Sequence, residues 1–204
     1  MARDRLGPWL DGFRDRHGPT RSLRSGDELA LEAQDGARAW VHLPFPTLAA
    51  PEVDCERSVL DHVLTDRRVG CLLVRRGGFA VGVFEGHRLV SSKVGSAYVQ
   101  GRTKAGGWSQ QRYARRRDNQ SRKAYAEAAD EAAALLLPEL PRLEALVTGG
   151  DGPAVSAVLA DPRLAPLRPL VQPRVLPVPD PRLRVLRAFG EQFLAVRIDL
   201  NDLA

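Results

Sequence analysis

The sequence predicts an α/β fold: a mixed sheet with packed helices, and one long helix following a glycine loop. Three observations carry this. Residues 69–74 (VGCLLV) are continuously apolar, as a strand buried on both faces would be. Two further apolar runs follow behind short Gly turns, which extends that strand into an antiparallel meander. Residues 143–160 then read as strand, Gly-rich loop and helix, the crossover unit from which parallel pairing is built.

Taken in order, the N-terminal 25 residues place Trp9, Leu10 and Phe13 at helical spacing in a polar background, which predicts a short amphipathic helix. Residues 28–45 read as a hairpin. Leu29 and Leu31 alternate with polar residues, Asp35-Gly36 marks the turn, and Ala39, Val41 and Leu43 alternate again. Pro44, Pro46 and Pro51 end it. Residues 52–66 fit a helix, with Val53, Val59, Leu60, Val63 and Leu64 at three- and four-residue spacing and Asp54 as candidate N-cap. In the meander, Phe79, Val81 and Val83 alternate with Ala80, Gly82 and Phe84, and residues 89–94 and 97–100 continue the pattern. Arg75-Arg76-Gly77-Gly78 and Glu85-Gly86-His87 supply its turns. Residues 109–137 hold no Gly or Pro and are rich in Ala, Arg, Gln and Glu, so one long helix is expected there, stopped by Pro138. Residues 143–148 form a short strand, Gly149-Gly150-Asp151-Gly152 a loop, and 153–160 a helix with Pro just inside its start. That loop could hold a phosphate at the helix N-terminus, but it matches neither the dinucleotide fingerprint nor the P-loop. Seven prolines between 162 and 181 predict a stiff extended connection over a surface. Leu183, Leu186 and Phe189 predict a last helix, and Leu194, Val196, Ile198 and Leu200 a closing strand.

The chain of 204 residues is expected to be a single domain, with a helix and hairpin at 1–50, an α/β core at 52–160, and a Pro-rich connection, helix and strand at 161–204. Two cysteines, Cys55 and Cys71, are too few for a disulfide scaffold, and with His17, His42, His62 and His87 they show no metal-ligand spacing. No metal and no cofactor is expected. The absence of a long apolar run or a signal-peptide pattern leads to the expectation of a reduced, cytoplasmic protein with no membrane contact. A monomer is expected.

Charge is more informative than composition. Residues 100–123 hold eight bases, Arg102, Lys104, Arg112, Arg115, Arg116, Arg117, Arg122 and Lys123, against one acid, Asp118. That window carries +7, so the other 180 residues sum to −2. A positive field this local is the footprint of a polyanion-binding element. At about 100° per residue, Arg112, Arg115, Arg116, Arg122 and Lys123 fall within an arc of roughly 120°. Tyr113, Ala124, Ala128 and Leu135 cluster on another side, and Arg117 falls with them. A merely solvated helix face would interleave acids four residues before bases, and only Asp118 is present. RNA is favoured over DNA, because no helix-turn-helix or finger pattern accompanies the stripe.

Just before the stripe, Gly106-Gly107 can take backbone angles closed to other residues and lets a partner approach the main chain. Trp108 is a large aromatic in a polar loop, Ser109 a natural N-cap, and Gln110 follows in the first helical turn. There the backbone N–H groups are free and the helix dipole is positive. The chain shows no nucleophile elbow, no paired carboxylates and no metal cluster. An enzyme built this way would position water or a hydroxyl with amides and a neutral side chain.

The run KVGSAYVQGRTKAGGWSQQRYARRRDNQ, with the preceding VGCLLVRRGGFAVGVFEGHRLV, closely resembles the actinobacterial Vms-like release factors. These are peptidyl-tRNA hydrolases related to the catalytic domain of eukaryotic and archaeal peptide release factors. The resemblance is close over residues 67–135. It implies an α/β domain whose glycine loop enters the peptidyl-transferase centre, where a glutamine places water against the ester joining peptide to tRNA. Vms-like members carry a Gly-x-x-Gln version, which Gly107-Trp108-Ser109-Gln110 fits. The resemblance thus gives Gln110 the catalytic role and Gly106 and Gly107 the loop-shaping role. Two residues separate Gly107 from Gln110 where release factors have none, and Gln111 follows at once, so Gln111 is the alternative register. The implied partners are peptidyl-tRNA and the rRNA of the large ribosomal subunit, contacted by Arg102, Lys104, Trp108, Arg112, Arg115, Arg116, Arg122 and Lys123. With no stop-codon-reading domain in sight, codon-independent release from stalled ribosomes is expected. Two alternatives stand beside it: a ribonuclease cutting the tRNA 3′ acceptor end, and a non-enzymatic ribosome or RNA binder.

Overall fold

The structure is a computed structural model that describes residues 1–45, 55–76, 78–96 and 108–204; of residues 108–120 it describes the backbone. The chain packs as two compact units, one made of Met1–Asp66 and Glu191–Ala204, the other of Arg67–Gly190.

In the first unit, α1 (Leu6–His17) buries Leu6, Leu10 and Phe13, one helical face spaced by four and three. The predicted hairpin is present as β2 (Glu28–Ala33) and β3 (Arg38–His42), paired antiparallel. At its turn Gly36 sits at φ 89°, and Asp35 Oδ1 accepts the Ala37 N–H at 3.0 Å. This bond and the neighbouring His17 ring hold the Asp35 carboxyl below its ordinary range. The helix α2 (Cys55–Leu64) is there with Val59 and Val63 buried; the candidate cap Asp54 lies outside the described residues. The closing strand is β9 (Arg197–Leu200), antiparallel to β3. An unpredicted strand, β1 (Thr20–Ser25), completes a sheet of order β1-β2-β3-β9. Its one large apolar residue, Leu23, is 61 % exposed. An edge strand with no buried face needs no hydrophobic alternation, and alternation is what a sequence reading detects. Leu29, Leu31, Ala39 and Val41 form the buried face, which α1 and α2 cover.

The second unit is the predicted mixed sheet, in the order β6-β5-β4-β7-β8. The strands β4 (Arg68–Arg75), β5 (Gly78–Glu85) and β6 (Arg88–Ser96) form the antiparallel meander. Both faces of β4 and β5 are buried, as the continuous apolar run requires. The strand β7 (Ala145–Gly150) runs parallel to β4. Phe79, Val81, Val83, Leu72 and Leu146 face α3 (Trp108–Leu136) and α4 (Gly152–Leu159). The other face takes α5 (Leu183–Phe193): the Cβ positions of Gly82 and Gly149 lie 3.0 Å from Leu186 and 3.2 Å from Phe189.

Two expectations are corrected. Gly149 and Gly150 belong to β7 rather than to a loop. Gly150 lies at φ 106°, and a Cβ there would sit 2.2 Å from the Val74 carbonyl oxygen, so glycine is needed where two strand ends meet. The Pro-rich stretch is not an extended connection. It is a 3-10 helix, Pro162–Leu170, followed by the edge strand β8 (Val171–Leu176), parallel to β7. The ring-fixed φ of proline suits a 3-10 helix, whose three-residue period puts Leu164 and Leu167 together in the core. Asp161 starts it by accepting the Arg163 N–H at 2.9 Å. Pro173 costs β8 no ladder bond that an edge strand must make.

Candidate functional site

The long helix α3 organises the site. Ala128, Ala129, Ala132 and Leu136 are buried against the sheet, so small side chains let the helix approach closely. Its C-terminal half is pinned. Leu136 lies 3.3 Å from the Cβ position of Gly70, and Asp130 binds the Arg163 guanidinium at 2.7 Å. Asp161 holds the same guanidinium at 2.8 Å. Arg163 keeps the Asp161 carboxyl down at about 2, chiefly through the side-chain bond. Beyond the helix, Glu139 accepts from Arg68 Nε at 2.9 Å and its carboxyl is lowered by that bond.

The predicted face arithmetic agrees with the described half of α3: Arg122 and Lys123 are exposed while Ala124 and Ala128 are buried. Further along, Glu127 and Asp130 are exposed, so the helix surface turns from basic to acidic toward its C-terminus. The helix is continuous from Trp108, and its register puts positions 112, 115 and 116 on the face of 122 and 123. Gln110 falls in its first turn, as expected, and Gln111 follows in the same turn. The start is one residue earlier than predicted, so Ser109 is inside the helix rather than its cap. Gly106, Gly107, Arg102 and Lys104 lie outside the described residues. The strand before them, β6, ends at Ser96 on the edge of the sheet.

The remaining chemistry is bland. Burial pushes the Cys71 thiol well up, which makes it inert. Among the described residues no group of three His, Cys, Asp or Glu could hold a metal ion, and no helix is long and apolar enough to cross a membrane. A groove of about 500 Å³ sits where β4 and β7 end, beside the start of α4. Arg75, Arg76, Asp151 and Asp180 line it, so it carries both signs of charge. Arg75 donates to the Val178 carbonyl at 2.9 Å, and its Nε lies 3.9 Å from Asp180.

The chain is 26 % identical over 139 residues to peptide chain release factor subunit 1 of Pyrococcus abyssi (strain GE5 / Orsay), and 27 % identical over 139 residues to that of Thermococcus onnurineus (strain NA1). Each match covers 65 % of this chain and 34 % of the relative, so the chain spans about a third of their length. A crystal structure of archaeal translation termination factor, aRF1, aligns with TM-score 0.46 and 17 % identity over 93 % of this chain and 55 % of that one. The family described as Actinobacteria/chloroflexi VLRF1 release factor matches residues 67–199. The chain belongs to that family, which agrees with the resemblance carried by its glycine loop and basic helix.

Proposed function

We propose that this protein is a peptidyl-tRNA hydrolase that releases nascent peptide from tRNA on stalled ribosomes, independently of a codon. The observation that supports this most is the build of α3. Its first turn carries Gln110, its exposed face carries Arg122 and Lys123, and its register continues that face through positions 112, 115 and 116. One rigid element thereby joins a positioning group to a phosphate-binding surface. Family membership over residues 67–199 supports the same reading.

In this mechanism the arginines hold tRNA and rRNA phosphates, with Arg102, Lys104 and Trp108 extending the contact. Gly106 and Gly107 let the loop approach the acceptor end. Gln110 orients a water against the ester carbonyl carbon. The water's oxygen forms the new bond to that carbon, and the tRNA 3′ oxygen leaves carrying a proton. A neutral amide cannot act as a strong base, so its contribution is position and hydrogen bonding. Free N–H groups of the first turn would stabilise the developing oxyanion.

Gln110→Ala should lower single-turnover peptide release on stalled complexes by about 100-fold, the scale of a lost positioning or oxyanion group. Ribosome association should stay within a few-fold. Release by Gln110→Ala equal to wild type would overturn the assignment, and inactivity of Gln111→Ala alone would move it by one residue. The released tRNA should keep an intact CCA end; a shortened end would show a ribonuclease instead.

A further inference from the structure

The second unit carries a further cluster of bases, around the helix on the opposite face of its sheet. Between residues 171 and 190 there are four arginines, Arg174, Arg182, Arg184 and Arg187, and one acid, Asp180. All four arginines are exposed, and among the described residues none has an ion-pair partner. Other arginines of this unit are used internally: Arg68 by Glu139, Arg163 by Asp130 and Asp161, and Arg168 by the carbonyls of Leu159 and Ala160.

The placement runs against local stability. Arg184 lies in the first turn of α5, Arg182 just before it, and that turn has no acid. Cations at a helix N-terminus oppose the helix dipole. Residues that break a local rule without internal compensation mark functional positions more often than structural ones. Arg184 and Arg187 are three apart and share a helix face. Leu186 and Phe189 fix that helix on the sheet through Gly82 and Gly149, which turns the arginines outward. Arg174 is exposed on the edge strand β8, next to Val175, which pairs with Thr148 of β7.

We infer that Arg174, Arg182, Arg184 and Arg187 form a second RNA-backbone surface, separate from the α3 stripe. Two basic helices on opposite faces of one sheet cannot serve one straight strand. They suit a domain inserted between two RNA segments, as in a cleft of structured RNA. The inference rests on the proposed ribosomal function for the identity of the polyanion. Exposed guanidinium groups carried by a strand end and a helix match phosphate by charge and by donor geometry.

The test is a salt titration of binding to purified large ribosomal subunits by the full chain and by the Arg184→Ala/Arg187→Ala double variant. Alanine favours helix, so melting curves should stay unchanged. Each lost phosphate contact should shallow the log–log slope by about 0.7 to 0.9, or about 1.5 units for the pair. An unchanged slope overturns the inference. Anionic phosphatidylserine vesicles form a second arm: vesicle binding lost in the variant with the RNA slope unchanged would assign the arginines to lipid and also overturn it. Peptide release by the wild type is measured in parallel. Release with an unchanged slope sinks only the second surface, whereas no release with a shallowed slope sinks the proposed reaction and leaves the surface standing.

Discussion

Gly150 shows how a single residue can hold a strand end. Its φ of 106° is closed to most side chains, and a Cβ would meet the Val74 carbonyl oxygen at 2.2 Å. That neighbour is backbone and cannot swing away. Gly150→Ala should therefore destabilise the fold by about 3 kcal/mol, combining strain and overpacking, measured by denaturant unfolding. A loss under 1 kcal/mol would show that the β4 and β7 ends can separate freely. Asp161 offers a pH test. Its carboxyl is held at about 2 in the folded protein, below the ordinary value of 3.8. A depressed folded pKa gives stability that is present above the unfolded value and is lost as pH falls through the folded one. The stabilising effect should fade between pH about 4 and about 2, and Asp161→Asn should lack that part of the acid dependence. Parallel stability-versus-pH curves for the two proteins would overturn the role of the Arg163 pair.

At the scale of the element, α3 divides into an anchored C-terminal half and a basic N-terminal half. The anchor is visible in buried Ala128, Ala132 and Leu136 and in the Asp130–Arg163 pair. Replacing Arg115 and Arg116 together by Ala should shallow the salt dependence of RNA or ribosome binding by roughly one to two units. Peptide release at saturating protein should fall less than for Gln110→Ala, because uniform binding is lost rather than transition-state positioning. An unchanged slope would make the stripe an ordinary solvated face. The 3-10 helix Pro162–Leu170 teaches the opposite lesson about legibility. Proline density reads as a stiff extended chain, yet Leu164, Leu167 and Leu170 recur every third residue. That period belongs to a 3-10 helix, and only a core to receive the leucines turns it into structure.

For the molecule as a whole, the two compact units each have their own buried cluster. The first unit closes through the C-terminus: β9 pairs with β3, Asn201 N donates to the Arg38 carbonyl at 3.1 Å, and the Met1 ammonium donates to the Val196 carbonyl at 2.8 Å. Deleting residues 197–204 should speed hydrogen exchange of the β3 amides, 38–42, while β4 and β5 keep their protection. Equal loss of protection in both sheets would show that the two units unfold as one. The sequence by itself determined the meander, the long helix and the strand–helix crossover, and it is the source of the proposed basic stripe with Gln110 at its head. Each is a local signal: a period of two or 3.6, a turn residue, a run of like charge. The tertiary structure decided what depends on partners distant in sequence. It made β1 an edge strand with nothing to bury, joined β9 to β3 across most of the chain, and drew Gly149 and Gly150 into β7. It also left Arg174, Arg182, Arg184 and Arg187 exposed and without an ion-pair partner among the described residues, because a charge is free or paired only once its neighbours are in place.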